Sequence, residues 1–240
     1  MNQFSILYQD DHIIAIDKPS GFHVHPPESK PEKVPRHKIV LHQLRDQIGQ
    51  KIYPLHRLDA ATSGVLLFAL NSEVASFYGK LFQSRGIEKT YWAVVRGFVP
   101  DEGEISLELE LDSTGELVPA KTLFRTLRRM ELDEVVGNRN LKARYSWLEV
   151  SPQTGRFHQI RRHMNRISHP VVGDSTHGDS KHNQFFREKL EISGLCLRAV
   201  QVRLPMPSRA DEVLAIDARE SWKWKKIERL FDANSFKKPE

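Results

Sequence analysis

Hydrophobic and polar positions alternate cleanly from Glu104 to Leu111, where Ile105, Leu107, Leu109 and Leu111 are interleaved with Glu104, Ser106, Glu108 and Glu110. A period of two predicts a strand with one wet face, and so a sheet that is antiparallel or mixed. Val65-Leu66-Leu67-Phe68-Ala69-Leu70 has no polar interruption and predicts a buried strand. Helical spacing appears at Ile39 to Ile48, with Leu41, Leu44 and Ile48 on one face. It recurs from Asn71 or Ser72 through Arg85, with Val74, Tyr78, Leu81 and Phe82 inward and Asn71 or Ser72 as the cap. Arg156 to Ile167 predicts a further helix, with Phe157, Ile160, Met164 and Ile167 on its buried side.

Shorter segments complete the plan. Phe4 to Asp17 reads as two strands around Asp10-Asp11, and Ile87 to Val95 as a strand. Ser113 to Lys121 reads as a loop, followed by strands at Thr122 to Arg129 and Arg144 to Val150. A helix is expected at Phe185 to Leu190, and a strand at Leu195 to Leu204 with a bulge where the apolar parity slips between Ala199 and Val200. Val213 to Asp217 reads as a strand, and Ser221 can cap a last helix carrying Trp224, Ile227, Leu230 and Phe231. The stretch 26–38 holds Pro26, Pro27, Pro31 and Pro35 among basic residues, and reads as a basic loop. The tail 234–240 is expected to fray. Strands outnumber helices without alternating with them, and no repeat or linker is evident. The class is α+β, one domain over residues 1–240 around a central mixed, mainly antiparallel sheet flanked by helices and loops.

Composition narrows the function. A net charge of +5 and a pI near 9.3 suit a nucleic-acid partner without requiring one. The single cysteine, Cys196, forbids an internal disulfide, and its leucine neighbours point to packing. There is no membrane-length apolar run and no basic-then-apolar leader, so a cytoplasmic location is expected.

Reactive groups concentrate in four places. The first is His56-Arg57-Leu58-Asp59-Ala60-Ala61-Thr62-Ser63-Gly64, at the mouth of the buried strand; alone, it could be an ordinary polar turn. The others are Glu88-Lys89-Thr90-Tyr91-Trp92, Thr154 to His163, and His177-Gly178-Asp179. Arg161 lies beside the apolar stripe of its helix, where an unpaired guanidinium is costly, so it wants a carboxylate; Asp59 is a candidate. Arg156, Arg162 and Arg166 suit phosphate contacts. Gly173-Asp174 and Gly178-Asp179 read as turns. His23 and His25 lack the ligands a metal needs, and neither a phosphate-binding glycine loop nor a nucleophile elbow is present. What remains is a site built from one carboxylate, one aromatic ring and arginines, with no metal and no cofactor. That set suits a nucleotide base: the carboxylate as nucleophile, the ring for stacking, a guanidinium as wedge.

These residues resemble the RluA-type pseudouridine synthases over nearly the whole chain. The match runs through Ile6-Leu7-Tyr8-Gln9-Asp10, Asp17-Lys18-Pro19-Ser20-Gly21 and His56-Arg57-Leu58-Asp59 with Thr62-Ser63-Gly64-Val65. It continues with Lys89-Thr90-Tyr91, Val95-Arg96-Gly97, Thr154-Gly155-Arg156 with His158-Gln159-Ile160-Arg161, and His169-Pro170 with Gly173-Asp174. The resemblance implies that Asp59 attacks the target uridine, that Tyr91 stacks on the base and relays a proton, that Arg161 pairs with Asp59, and that Arg57 enters the RNA stack. His56, Thr62, Lys89, Arg156, His158 and Arg162 would contact RNA. It also implies a pseudouridine synthase domain without an S4-type extension. Softer matches at 45–50, 119–120 and 173–179 point to members acting on tRNA, at uridine 65, with other tRNA positions or ribosomal RNA as alternatives. The chain departs from the pattern at Leu197-Arg198-Ala199, at Pro205 to Arg209, and in the weakly matching region 113–140. Two other classes compete: a glycosylase or nuclease in which Asp59 activates water, and a non-catalytic RNA-binding module.

Overall fold

The fold was analysed in a computed structural model, which describes residues 3–26, 34–111, 114–137, 142–206 and 209–236. In chain order the elements are β1 (Ser5–Gln9), β2 (Ile13–Lys18), α1 (Val40–Ile48), β3 (Tyr53–Pro54), β4 (Ser63–Ala69), α2 (Ser72–Gln83), β5 (Glu88–Arg96) and β6 (Glu102–Glu110). They continue with β7 (Leu117–Leu132), β8 (Ala143–Pro152), α3 (Gln159–Arg166), α4 (Ser180–Glu188), β9 (Leu197–Met206), β10 (Arg209–Asp217) and α5 (Trp222–Ala233). Strands predominate, the pairing is mixed and mainly antiparallel, and helices flank it, as the hydrophobic pattern predicted. No described helix is long and apolar enough to cross a membrane.

The chain forms two compact units. The first comprises residues 1–89 and 198–219. Here β2 lies antiparallel to β1 and β4, β4 runs parallel to β9 at Ser63↔Arg198 and Gly64↔Ala199, and β9 is antiparallel to β10. Val65, Leu67 and Ala69 of β4 join Ile13, Val74, Tyr78 and Val202 in one core, while Leu66 and Phe68 are buried on the opposite face. Burial on both faces is why β4 carries no alternation. The Asn71 side chain accepts from the Val74 amide and caps α2.

The second unit comprises residues 90–197 and 220–240. Strands β5, β8, β7 and β6 follow one another antiparallel. Trp147, Trp224, Phe231, Tyr145 and Phe186 fill the core between this sheet and helices α4 and α5. Trp147 meets Trp92 edge-on at 5.1 Å.

Four expectations need correction. Residues 117–121 are strand, because the ladder to β6 (Leu117↔Glu110, Pro119↔Glu108) recruits a stretch with no alternation of its own. Leu107 of β6 is exposed, so the apolar side of that strand is broken at its middle. Within 26–38, Arg36–Lys38 form a 3-10 turn and His23 bridges Ile39, while 27–33 lie outside the described residues. The start of the tail is tied down: Ser235 bridges Met130, the Phe236 amide donates to the Arg129 carbonyl, and the Phe236 ring meets Phe98 at 4.5 Å.

Candidate active site

Asp59 sits half-buried in the turn that leads into β4, with Leu58 buried beside it and Arg57 exposed. The Thr62 amide closes the turn on the Asp59 carbonyl at 3.0 Å. Lys18-Pro19-Ser20-Gly21 grips it from the side. The Gly21 amide donates to the Ala60 carbonyl (2.7 Å), and the Ser20 hydroxyl donates to that of Ala61 (2.8 Å). Lys18, fully buried, spreads its Nζ over the carbonyls of Pro19, Phe22 and Ala60 at 2.8–3.1 Å. Three acceptors match the three N–H groups of an ammonium. Burial pushes the Lys18 amine down to about 7, with the charge of nearby Asp59 acting in the opposite direction.

From behind, the buried Arg198 donates to Asp17 Oδ2 (2.6 Å), to Ser63 Oγ (3.2 Å) and to the Arg219 carbonyl (2.8 Å). The residue at which the chain departs from its resemblance therefore braces the strand that carries the Asp59 turn. Gly64 (φ +112°) lies so close to β9 that a Cβ would stand 2.0 Å from the Ala199 carbonyl oxygen, so only glycine fits.

His56 and Thr62, expected to contact RNA, are turned inward. Thr62 is buried. His56 Nε2 accepts the Leu67 amide at 3.2 Å, which fixes the ring proton on Nδ1. Burial, then the charge of Lys89, pushes His56 down to about 3, so the ring is neutral at physiological pH. Lys89 reaches over the Phe82 ring at 5.9 Å, and burial lowers its amine as well.

In the second unit, Tyr91 is buried on β5 opposite Val150 of β8. Arg161 emerges from the first turn of α3 into a buried, two-pronged ion pair with Asp174: Nε to Oδ2 and Nη2 to Oδ1, both 2.7 Å. The two side chains are 5% and 0% exposed. Oδ1 also accepts the amides of Thr176 (2.9 Å) and His177 (3.0 Å). Burial alone would raise the Asp174 carboxyl; Arg161 and the two amides outweigh it and hold the group below its ordinary value. Asp174 falls where the sequence predicts only a turn. The need of Arg161 for a carboxylate was visible in the sequence, but nothing local pointed across the intervening loop to this one.

Gln159 organises the start of α3: its Oε1 accepts from the Thr154 hydroxyl and the Arg156 amide, and its Nε2 donates to the Lys121 carbonyl and Thr122 Oγ1. His158 precedes the helix in the left-handed region (φ 52°) and shares a 3.1 Å hydrogen bond with His177. This corrects the expected buried stripe, because Phe157 lies off the helix and is exposed, stacked on His158. Arg156 is exposed, and the half-buried Arg162 donates to the Glu110 carbonyl at 2.9 Å.

Residues 12–166 match the family model described as RNA pseudouridylate synthase. The chain is 43% identical over 237 residues to the tRNA pseudouridine synthase C of Pectobacterium carotovorum, covering 94% of this chain and 61% of that protein's length. It is 41% identical to the protein of the same name from Vibrio vulnificus, covering 95% of each. Two solved human structures, RNA Pseudouridylate Synthase Domain Containing 1 and Domain Containing 4, share the fold. Their TM-scores are 0.69 and 0.70, over 97% and 94% of this chain and 96% and 92% of theirs, at 21% and 22% identity. On the family model and these relatives, the chain belongs to the RNA pseudouridylate synthase family and is an isomerase of that kind.

Proposed function

We propose that the protein converts one uridine of tRNA, uridine 65, to pseudouridine, with Asp59 as nucleophile. The Asp59 carboxylate adds to the target uridine and the bond between the ribose C1′ and uracil N1 breaks. The freed ring turns, C5 bonds to C1′, the bond to Asp59 breaks and frees its carboxylate, the proton on C5 leaves and N1 takes one up. Atoms and electrons balance without a second substrate. Tyr91 stacks on the base and relays the proton. Arg161 is the residue that pairs with Asp59 and aims its carboxylate. Arg57, exposed two residues before Asp59, enters the RNA stack where the uridine leaves. Arg156, Arg162, Lys89 and His158 meet the backbone and flanking bases, whereas His56 and Thr62 act through the shape of the turn.

The observation that carries this reading is the half-exposed Asp59 in a turn whose Ala60 and Ala61 carbonyls are held by Lys18, Ser20 and Gly21, at the mouth of a buried strand in a chain of this family. The names of the relatives supply tRNA as the substrate class. Pseudouridine should be mapped in tRNA and ribosomal RNA from cells with and without the protein. Loss of the modification at tRNA position 65 alone is expected. Unchanged tRNA with a loss in ribosomal RNA would overturn the substrate.

A further inference from the structure

Phe157 breaks the apolar pattern of its segment: it is 41% exposed, just outside α3. Its ring stacks on His158, with centroids 3.7 Å apart and planes within 20°. The support beneath the stack is rigid. The left-handed backbone at His158 projects the two rings together instead of continuing the helix. His158 Nδ1 and His177 Nε2 share a hydrogen bond, and the His177 ring stands edge-on to His158 at 5.3 Å. The His177 amide in turn holds Asp174, the partner of Arg161. The stack is thus joined by consecutive hydrogen bonds to a buried ion pair, and exposed Arg156 is its chain neighbour.

We propose that Phe157 and His158 form a stacking platform for an unpaired nucleobase of the RNA. This rests on RNA being the substrate. A flat ring at the surface, backed by a second ring and next in the chain to exposed Arg156, matches a ligand with a planar π-face and an anionic backbone. Aromatic stacking accepts any base, so the platform contributes affinity and registration more than sequence choice. The bland alternative is that Phe157 shields the His158–His177 pair from water.

The test measures the affinity of a tRNA transcript for the full chain in an Asp59→Ala background, where nothing turns over. Phe157→Ala and Phe157→Leu should each weaken binding about tenfold, within the usual range for losing one base–aromatic stack. Phe157→Trp should keep wild-type affinity, and its added fluorescence should be quenched when RNA binds. With Asp59 intact, Phe157→Ala should raise KM with kcat nearly unchanged. If Leu binds as well as Phe, or if Trp is not quenched, the platform is refuted. Shielding alone would lower the melting temperature of Phe157→Ala and leave its affinity untouched. Failure of the wild-type chain to form pseudouridine in the same transcript would instead refute the functional reading.

Discussion

Asp174→Asn is the most informative single change to the framework of the site, because it preserves shape and removes only charge. Four donors converge on the Asp174 carboxylate: Arg161 Nε and Nη2 and the amides of Thr176 and His177. Oδ1 takes three of them, so an asparagine must keep its oxygen there and turn its NH2 toward Arg161 Nε, donor against donor. The guanidinium is then left in an almost water-free position without its counter-charge. Removing one partner of a buried pair costs about 3–5 kcal/mol. For a chain of this length that lowers the melting temperature by roughly 10 °C. The pH dependence gives a second readout. Asp174 titrates below its ordinary 3.8 in the folded state, so its contribution is fully present above that value and is lost as pH falls through the lower folded value. Melting curves of wild type and variant should lie far apart at pH 7 and converge below pH ~4. A variant that melts within about 2 °C of wild type at pH 7, or a gap that persists unchanged into acid, would refute a stabilising role for the pair.

Two other perturbations follow from the turn around Asp59. Lys18→Met should fit the buried channel yet leave the carbonyls of Pro19, Phe22 and Ala60 without their donor, and activity should fall at least ~10-fold from a displaced turn, measured as pseudouridine formed per minute. Because burial lowers Lys18 from 10.5 to about 7, the unfolded chain holds the extra proton between those values. Wild-type stability should therefore gain a rising component across that window, absent from Lys18→Met in urea melts. Gly64→Ala should cost more than about 3 kcal/mol, since its Cβ has no space against Ala199 and its backbone angle disfavours any side chain; an unchanged urea midpoint would contradict that packing.

Much of the framework was legible because its signals are local. The uninterrupted apolar run of β4 marked a strand buried on both faces, and Asn71 marked the start of α2. What escaped depends on distant partners. β7 begins inside a segment with no alternation because β6 offers it a ladder. Lys18 carries no local sign of burial, and its place over three carbonyls follows from how 60–61 fold back on 20–21. Arg161 announced a missing carboxylate, yet Asp174 carried only a turn signal. Phe157 fitted the helical stripe by spacing alone, and the left-handed His158 moves it out. The residues proposed for chemistry were found by their order along the chain and their match to a family signature. Their supporting contacts were not.

Asp59 is proposed to perform the chemistry. The most direct test of this role is the conversion of uridine 65 in a tRNA transcript by the wild-type chain and by Asp59→Ala, with RNA affinity measured alongside. Pseudouridine is expected at that position with wild type, none with the variant, and comparable affinity for both. Pseudouridine formed by Asp59→Ala at a rate near that of wild type would contradict that role.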